Sequence, residues 1–556
     1  MNQPLLFNSD ETREYSAGQW AKLVKKRDCL HCINETKFPK KDHTLFVLNA
    51  HHIFPKKLGG KYTLDNGIAY CRACHAAEHP EYQQHFMGVF KKQFVFIRDL
   101  LGKLIGMDPE LQYYRLLEFL TGSLSFRLIQ KKIIKTIVEK KKHVLAVMPT
   151  GSGKSILYQI PGLLNNFNPS LVISPLKALQ LDQVGKLIKN WVPATYINSD
   201  LGEDEVNERM ENIKQGTFPF VFIHPKQLLV YRDNIQQVDF KFHKPLTKVP
   251  FDYLVVDEVH TIKSQGLSFT KEYSHLDKIY EHFNRPQMIL LTATASKKTR
   301  QFIIENLRLN TDKFEEFVTG FYRSEISLKV FRTNCFDQKY KKFIPKDEKL
   351  IELLQSGIPG KKIIFCTTTK QVDNVYQNLI DKGYHASRYH SRLDNNEKER
   401  NFKVFTGKIP TEETDIMVAT SAFGMGIDIK NVRQVIHYSL PFSLTDYYQQ
   451  FGRAARNGES AVAQLLYDER ESTNTIDFIN AKEIDKEKDE KTKKLIKEIY
   501  DDERVSLLGY IDSKNKWQYI LDYFGDKRAL RIMHFKVGFT ILFVFISLIL
   551  LIKLFA

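Results

Sequence analysis

The chain has 556 residues, of which 43% are hydrophobic and 26% are charged. This composition excludes a wholly disordered, collagen-like or coiled-coil chain, and the length predicts about three to four domains. The 82 Lys and Arg residues exceed the 65 Asp and Glu residues, so the formal net charge is +17. Such a charge favours a polyanionic partner, either nucleic acid or an acidic membrane surface.

Four of the six cysteines form two C-x-x-C pairs, Cys29 with Cys32 and Cys71 with Cys74. Paired knuckles of this spacing are typical of a tetrahedral structural zinc site in a reducing compartment, not of a disulfide framework. We therefore expect a zinc module at residues 1–90, where Zn²⁺ supplies the core that so small a region lacks. The N-terminus has no basic segment followed by an apolar core, so we expect a cytoplasmic, nucleoid-associated protein without a signal peptide.

The histidines of the same region indicate a second metal ion. His75 and His79 are four residues apart, so on a helix they share one face and can bind one ion together. With His51, His52 and Asn66, the pattern resembles the HNH (ββα-metal) nuclease motif. The resemblance implies that His51, His75 and His79 hold a catalytic divalent ion. It also implies that His52 is the general base and that Asn66 orients it. The alternative is a zinc module that only binds DNA.

Two blocks of alternating strand and helix patterns follow an expected linker at residues 91–114. The blocks cover residues 115–312 and 313–470, and their short apolar runs, such as HVLAVM and LVIS, are apolar on both faces. That pattern is typical of buried parallel strands. The predicted fold class is therefore α/β, with two RecA-like parallel-sheet lobes preceded by the small zinc-bound ββα module.

A phosphate-binding loop is predicted where the strand HVLAVM meets a helical segment. Its core is Thr150, Gly151, Ser152, Gly153, Lys154 and Ser155. The two glycines let backbone N–H groups wrap around phosphates. In such a loop, Lys154 neutralises the β and γ phosphates of ATP, and Ser155 ligates Mg²⁺. Met148 stands where the full Walker spacing has its first glycine, and a plain strand–turn–helix is the alternative.

A second apolar strand, YLVV, ends in two carboxylates and a histidine about 100 residues later. Asp257 at the strand end can hold the Mg²⁺ shell. Glu258 can orient and deprotonate an attacking water. A polar strand cap is the alternative, but the order of the two motifs favours an ATP hydrolase that uses ATP and Mg²⁺.

Further segments resemble those of superfamily-two helicases, and more narrowly those of the RecQ family of DNA helicases. The segments are FRLIQ (126–130), SPLKALQLDQV (174–184), LTATA (291–295), ATSAFGMGID (419–428), VRQVIHYSLP (432–441) and YYQQFGRAARNG (447–458). The resemblance covers about residues 115–530. It implies an ATP-driven motor that moves 3′-to-5′ on single-stranded and tailed duplex DNA. The pairing of such a motor with an HNH-like module would suit DNA repair, recombination or defence.

The resemblance also implies roles for single residues. Arg127 and Gln130 read adenine, Thr292 and Thr294 couple hydrolysis to movement, Gln449 lies at the γ-phosphate, and Arg453 and Arg456 reach across the lobe interface to stabilise transition-state charge. Two alternatives stay open: an RNA-remodelling DExH ATPase, and an ATP-switched DNA-binding protein that does not unwind.

Two segments depart from the RecQ pattern. The stretch 261–273 lacks the Trp and second His of the family's aromatic loop, which predicts looser coupling between DNA binding and hydrolysis. Residues 471–532 resemble the family's zinc-binding region, but Asn515 replaces its first cysteine and no cysteine follows Cys366. We therefore expect a helical remnant without zinc in this part of the chain.

The last segment, residues 533–556, contains 16 uncharged residues at 537–552. As a helix they would span about 24 Å, which is shorter than the roughly 30 Å hydrocarbon core of a membrane. Flanking lysines can reach the interface, so a C-terminal membrane anchor is one prediction. A helix buried in the protein is the alternative.

Overall fold

The structure is a computed structural model. It describes residues 49–52, 67–70, 76–77, 83, 87–127, 129–149, 151–165, 168–175, 177–231, 238–240, 246, 249–262, 275–309, 311–337, 342–407, 409, 414–423, 429, 431–470, 477, 481 and 490–526. In the N-terminal region, β1 (Asn49–His52) pairs antiparallel with β2 (Gly67–Tyr70).

Lobe one is built on a seven-stranded, all-parallel sheet. The strands of this lobe are β3 (His143–Val147), β4 (Ser170–Ile173), β5 (Ala194–Ile197), β6 (Phe220–Ile223), β7 (Leu229–Tyr231), β8 (Val238–Phe240), β9 (Tyr253–Val256), β10 (Gln287–Thr292) and β11 (Phe314–Val318). Strands β7 and β8 form a separate small hairpin, and the other seven form the sheet. The order across the sheet is β11–β3–β10–β9–β4–β6–β5. The carboxyl ends of β3, β9 and β10 therefore lie side by side, where ligands bind in such sheets.

Eight α-helices and three short 3₁₀ helices accompany this sheet in the described part of the chain. The α-helices are α1 (Met87–Leu104), α2 (Pro109–Thr121), α3 (Gln130–Val138), α4 (Ile156–Leu164), α5 (Lys177–Lys189), α6 (Glu203–Lys214), α7 (Leu276–His282) and α8 (Lys297–Asn306), and the 3₁₀ helices are Pro225–Gln227, Val259–Ile262 and Thr311–Lys313. Helix α2 begins with Asp108, whose carboxylate accepts hydrogen bonds from two backbone N–H groups. This is a standard N-terminal cap.

Lobe two is built on a six-stranded, all-parallel sheet. Its elements, which include one small hairpin, are β12 (Ile326–Arg332), β13 (Cys335–Asp337), β14 (Lys342–Ile344), α9 (Lys346–Gln355), β15 (Lys361–Phe365), α10 (Thr369–Asp381), β16 (Ala386–Tyr389), α11 (Asn395–Phe405), β17 (Ile416–Ala419), β18 (Val432–His437), α12 (Leu444–Phe451) and β19 (Ala461–Tyr467). The order across the sheet is β12–β19–β18–β15–β17–β16. The prediction of two RecA-like parallel-sheet lobes is confirmed.

The boundary between the lobes lies later than residue 312. Strand β11 pairs in parallel with β3 over its whole length, so it completes the sheet of lobe one. Lobe one therefore extends to Val318, and the sheet of lobe two begins at Ile326.

The stretch expected to be a linker, residues 91–114, lies in helices α1 and α2 apart from the turn at residues 105–108. Helix α1 buries an apolar face against lobe one, where Phe96 packs edge-on against Trp191 with ring centroids 5.3 Å apart. The buried Gln93 side chain donates a hydrogen bond to the Ile188 carbonyl (2.9 Å). An amphipathic helix buries this face because apolar residues recur at helical spacing, so this stretch is part of the packing of lobe one.

The C-terminal helices α13 (Glu490–Asp512) and α14 (Lys516–Phe524) pack against both lobes. Phe524 stacks on Phe321 with ring centroids 4.3 Å apart, and its carbonyl accepts a hydrogen bond from Arg300 of lobe one (2.8 Å). Tyr510 donates a hydrogen bond to the hydroxyl of Tyr447 in lobe two (3.2 Å). The helices predicted for this region are present within residues 490–526. None of the helices among the described residues is long and apolar enough to cross a membrane; the apolar segment 533–556 lies outside those residues.

Candidate functional site

The predicted phosphate-binding loop lies at the carboxyl end of β3. Its first residue, Met148, donates a backbone hydrogen bond to the carbonyl of Thr292 at the end of β10 (3.0 Å). Gly151 and Gly153 have φ angles of 79° and 78°, which glycine adopts without the steric cost that other residues bear. Ser155 then directly precedes helix α4. This arrangement leaves backbone N–H groups at a helix N-terminus, where they suit a phosphate.

The residues expected to read adenine contact this loop directly. Arg127 donates a hydrogen bond to the Gly151 carbonyl (3.0 Å). The buried side chain of Gln130 donates to the carbonyls of Ser152 (3.0 Å) and Gly153 (3.1 Å). A Cβ atom at Gly153 would lie only 2.6 Å from the Gln130 amide nitrogen, so a larger residue would displace that side chain as well as strain the left-handed φ. Thr150 lies outside the described residues.

Lys154, Asp257 and Glu258 lie close enough to interact electrostatically. Burial lowers the pKa of the Lys154 ammonium, while the two carboxylates oppose that shift. Burial and the charge of Glu258 raise the pKa of Asp257. The Asp257 backbone N–H donates to Ile173 at the end of β4 (2.9 Å), which fixes the carboxylate at the edge of the sheet.

Glu258 occupies an unusual backbone conformation, with φ at 50°. Such a conformation costs a non-glycine residue about 1–3 kcal/mol and is often found at functional sites. Burial alone would raise the pKa of Glu258, but the hydrogen bond and charge of His260 and the charge of Lys154 lower it overall. His260 Nδ1 lies 3.3 Å from Glu258 Oε2. Glu258 is therefore a carboxylate at neutral pH, the form that can orient a water molecule.

His260 belongs to the site as well. The sequence indicated this only because the histidine follows closely after the two carboxylates. Its Nδ1 lies 2.7 Å from the hydroxyl of Thr292, which in turn donates to the Thr294 carbonyl (2.9 Å). From lobe two, Gln449 donates to the Thr294 hydroxyl (2.6 Å) and lies 3.4 Å from His260 Nε2. One ring nitrogen of His260 thus faces Thr292 and Glu258, and the other faces Gln449. Hydrogen bonds therefore join Thr292 and His260 of lobe one to Gln449 of lobe two, and His260 also lies beside the Glu258 carboxylate.

Arg453 and Arg456 lie in the turn that follows helix α12. Burial lowers the pKa of the Arg453 guanidinium to about 9. The positive charge of Arg456 lowers this pKa further, and the negative charge of Glu258 raises it. The charge of Arg456 in turn lowers the pKa of Lys154, which places these groups around one cleft. Ala455, between the two arginines, has φ at 57°. The structure thus brings together the predicted residues of both lobes.

This cleft suits a magnesium nucleotide. The Ser152 hydroxyl is buried within the loop and has no hydrogen-bond partner among the described residues. Together with the loop N–H groups, Lys154 and the arginines, it can contact phosphate oxygens. Ser155 and Asp257 supply the oxygen ligands that Mg²⁺ prefers.

The structure tests little of the predicted N-terminal metal sites. His51 and His52 lie on β1, but their side chains are not described. The remaining candidates lie outside the described residues: Cys29, Cys32, Asn66, Cys71, Cys74, His75 and His79. Within the part of the chain that the structure describes, no cluster of three or more His, Cys, Asp or Glu residues could hold a metal ion. Most of the variant loop 261–273 and residues 424–428 also lie outside that part.

Family models match three parts of the chain. A DEAD/DEAH box helicase model matches residues 127–302, and a helicase conserved C-terminal domain model matches residues 345–458. An HNH endonuclease model matches residues 37–81. The first two matches coincide with the lobes that border the cleft.

Curated relatives include two bacterial proteins described as ATP-dependent DNA helicase RecQ. The one from Bacillus subtilis is 30% identical over 408 residues, which are 73% of this chain and 63% of that protein. The one from Pasteurella multocida is 32% identical over 348 residues, which are 62% of this chain and 51% of that protein. The chain therefore spans between half and two thirds of the length of these relatives.

Among solved structures, the DEAD-box helicase Mss116 bound to single-stranded RNA and UDP-BeF aligns with a TM-score of 0.49 and 18% identity, covering 76% of this chain and 91% of that one. The family matches and the curated relatives agree with the segments identified in the sequence. The chain is therefore similar to RecQ helicases: its two lobes match helicase domain models, and residues 37–81 match an HNH endonuclease model.

Proposed function

We propose that the protein is an ATP-dependent DNA helicase of RecQ type. The observation that carries this proposal is the cleft in which Lys154, Asp257 and Glu258 of lobe one face Gln449, Arg453 and Arg456 of lobe two. Groups of opposite lobes at one nucleotide site can link ATP hydrolysis to movement of the lobes. DNA, rather than RNA, is favoured as the substrate by the RecQ relatives.

In the proposed reaction, Arg127 and Gln130 contact the adenine, while the loop N–H groups and Lys154 bind the phosphates. Ser155 and Asp257 would hold Mg²⁺, which neutralises phosphate charge when bound. Glu258 orients the attacking water and accepts its proton. Arg453 and Arg456 stabilise the charge that develops during phosphoryl transfer.

The hydrogen bonds from Gln449 to Thr294 and His260 support coupling between the lobes. Because His260 also contacts Glu258, a change in the distance between the lobes alters the surroundings of the general base. Closing and opening of the cleft would then alternate the grip on a DNA strand, with 3′-to-5′ movement as in the proposed family. The variant loop 261–273 predicts that ATP hydrolysis depends only weakly on DNA.

The decisive experiment combines ATP hydrolysis with strand displacement. We expect the full chain to unwind a 3′-tailed DNA duplex in the presence of ATP and Mg²⁺, and a 5′-tailed duplex poorly. Lys154→Ala should abolish both hydrolysis and unwinding. Hydrolysis without displacement would favour an ATP-switched DNA-binding protein, and stimulation by RNA alone would favour an RNA-remodelling ATPase.

The same ATPase assay tests the loose coupling. Rates of ATP hydrolysis that differ by only a few-fold with and without single-stranded DNA would support it, and a many-hundred-fold stimulation by DNA would contradict it.

A second activity, metal-dependent DNA cleavage, is favoured by the HNH match at residues 37–81. The described hairpin β1–β2 carries His51 and His52 on one strand, as the first part of a ββα-metal module requires. A structural zinc on the cysteine pairs and a catalytic divalent ion on the histidines belong to this proposal.

Incubation of closed circular plasmid with Mg²⁺ or Mn²⁺ tests the proposed cleavage. Nicking by the wild-type chain but not by His52→Ala, with unchanged zinc content, is expected. If the wild-type chain nicks the plasmid under none of these conditions, the alternative of a module that only binds DNA would be favoured. Together, unwinding and cleavage would suit repair, recombination or defence.

Membrane contact through residues 533–556 stays a prediction, which sedimentation with lipid vesicles can test.

A further inference from the structure

The short connector between the lobes, residues 319–325, is hydrogen-bonded to both of them. At its beginning, the Thr319 N–H donates to the carbonyl of Val147, the last residue of β3 before the phosphate-binding loop (3.2 Å). At its end, the Glu325 carbonyl accepts from Ala461 of lobe two (2.9 Å). The connector is therefore a fixed part of the cleft and not a loose tether.

Arg323 extends from this connector to the turn that carries the two arginines. Its Nη2 atom donates to the carbonyls of Ala454 (3.2 Å) and Ala455 (2.9 Å), which lie between Arg453 and Arg456. Its Nε atom pairs with the carboxylate of Glu325. Only 15% of the Arg323 side chain is exposed, so solvent screens these contacts only partly.

The turn needs such support for two physical reasons. Ala455 has a left-handed φ of 57°, a conformation that costs a residue with a Cβ about 1–2 kcal/mol. The carbonyls of residues 454 and 455 also lie just beyond the C-terminal end of helix α12, where the helix dipole is negative, and that of Ala455 accepts one further hydrogen bond, from the Gly458 N–H (3.0 Å). A guanidinium donates to several acceptors in a fixed geometry, so it is well suited to hold both carbonyls.

We propose that Arg323 is a positioning residue, which holds the turn so that Arg453 and Arg456 point into the nucleotide cleft. This inference rests on the proposed ATP hydrolysis and deepens it. Arg323 donates to the backbone between the two arginines and pairs with Glu325, so it would act through that backbone. Because the same connector is bonded beside the phosphate-binding loop, the turn is oriented with respect to that loop.

The test compares Arg323→Ala and Arg323→Lys with the wild-type chain. A displacement of about 1 Å can lower a rate by about 100-fold, so we expect kcat for ATP hydrolysis to fall about 10- to 100-fold in Arg323→Ala. The KM for ATP and the affinity for a fluorescent non-hydrolysable ATP analogue should change less than about threefold, since the binding groups of lobe one remain. Arg323→Lys keeps the charge but cannot reach Glu325 and both carbonyls together, so it should show a smaller loss of the same kind.

A double-mutant cycle distinguishes positioning from general stabilisation. If Arg323 acts through the arginine turn, adding Arg323→Ala to Arg456→Ala should lower kcat by much less than it does in the wild-type chain. The matched control is Arg209→Ala in lobe one, where a buried arginine also donates to a backbone carbonyl, that of Tyr196 (3.0 Å). This control should lower the melting temperature and leave kcat nearly unchanged.

The outcomes separate the two proposals. Unchanged kcat in folded Arg323→Ala and Arg323→Lys, or fully additive losses in the cycle, would overturn the positioning role. A wild-type chain that hydrolyses no ATP would instead refute the proposed function itself.

Discussion

Lobe one presents Lys154 on the loop after β3 and Asp257 at the end of β9, whereas lobe two presents Arg453 and Arg456 on a turn after helix α12. In lobe one, the supporting contacts come from adjacent strands of one sheet and from the loop itself. In lobe two, Arg323 reaches the turn from 131 and 132 residues away in the chain. The half of the cleft in lobe one is thus fixed by backbone hydrogen bonds within one sheet, and the half in lobe two depends on a side chain that reaches it from the connector. Substitutions of side chains outside the motifs should therefore affect the arginine side more.

The largest effect is expected from Glu258→Gln. The substitution keeps the size of the side chain but removes the proposed base, so kcat for ATP hydrolysis should fall about 100- to 10,000-fold. Nucleotide binding should persist, because Lys154 and the loop remain. Steady-state ATPase assays and analogue binding measure both quantities. Glu281→Gln, which alters an exposed glutamate paired with Arg285, is the control and should have no effect. A Glu258→Gln variant with wild-type kcat would contradict the role of base.

A smaller effect is expected when the hydrogen bond between the two halves is removed. Thr294→Val deletes the buried hydroxyl that accepts from Gln449, and it leaves that amide without one acceptor. We expect kcat to fall about tenfold with little change in ATP affinity, because a lost hydrogen bond to a buried group costs about 1–3 kcal/mol. Thr294→Ser should restore most of the rate.

The control for this substitution is Thr136→Val, in helix α3. It removes an equally buried hydroxyl that bonds only within its own helix, to the carbonyl of Lys132 (3.0 Å). Equal losses of kcat from Thr136→Val and Thr294→Val would show that the contact between the lobes has no special role.

Lobe one also has a remote contact, but at the far edge of its sheet, where it should affect stability alone. Gly185 lies within helix α5, and a Cβ atom there would meet the Ala77 carbonyl oxygen at 2.7 Å. Gly185→Ala should therefore lower the free energy of unfolding by about 1–3 kcal/mol, although alanine favours a helix. Gly102→Ala is the matched control, since its Cβ would meet nothing within 4 Å, and it should raise stability by about 0.5–1 kcal/mol.

Chemical denaturation measures the free energy of unfolding of both glycine variants. If Gly185→Ala lowered kcat severalfold at temperatures where the chain is folded, the edge of lobe one would communicate with the cleft. The contrast between the halves would then fail.

The sequence was sufficient to predict much of this cleft because its residues follow apolar strands in recognisable order. The strands are apolar on both faces, and their polar ends converge at one edge of a parallel sheet. The contact from Arg323 to Ala455 could not be predicted, because neither residue type nor local spacing identifies a partner more than 100 residues away. Helix α1 could have been predicted from the sequence. The segment MGVFKKQFVFIRDLLGKL has apolar residues at helical spacing, which indicate a packed helix and not a linker.

The smallest expected effect concerns a buried histidine that supports helix α12. His437 lies at the end of β18, donates from Nε2 to Gln450 Oε1 (2.9 Å) and stacks on Phe365. Burial lowers the pKa of His437 to about 3. Between pH 6.5 and about 3, the unfolded chain binds a proton at this position that the folded chain does not bind. The free energy of unfolding therefore falls as the pH falls, by at most about 1.4 kcal/mol per pH unit.

Hydrogen exchange of the amides in β18 and α12, followed from pH 7 to pH 4.5, measures this dependence. The protection of these amides should decrease less steeply with falling pH in His437→Gln than in the wild-type chain, because the variant has no imidazole to protonate. His385→Gln alters an exposed histidine of the same lobe and should leave the slope unchanged. Since Gln450 is the neighbour of Gln449 on α12, protonation of His437 should loosen the lobe-two half of the cleft before the lobe-one half. Equal slopes in His437→Gln and the wild-type chain would mean that this remote support contributes little, and that the turn is held mainly from the connector.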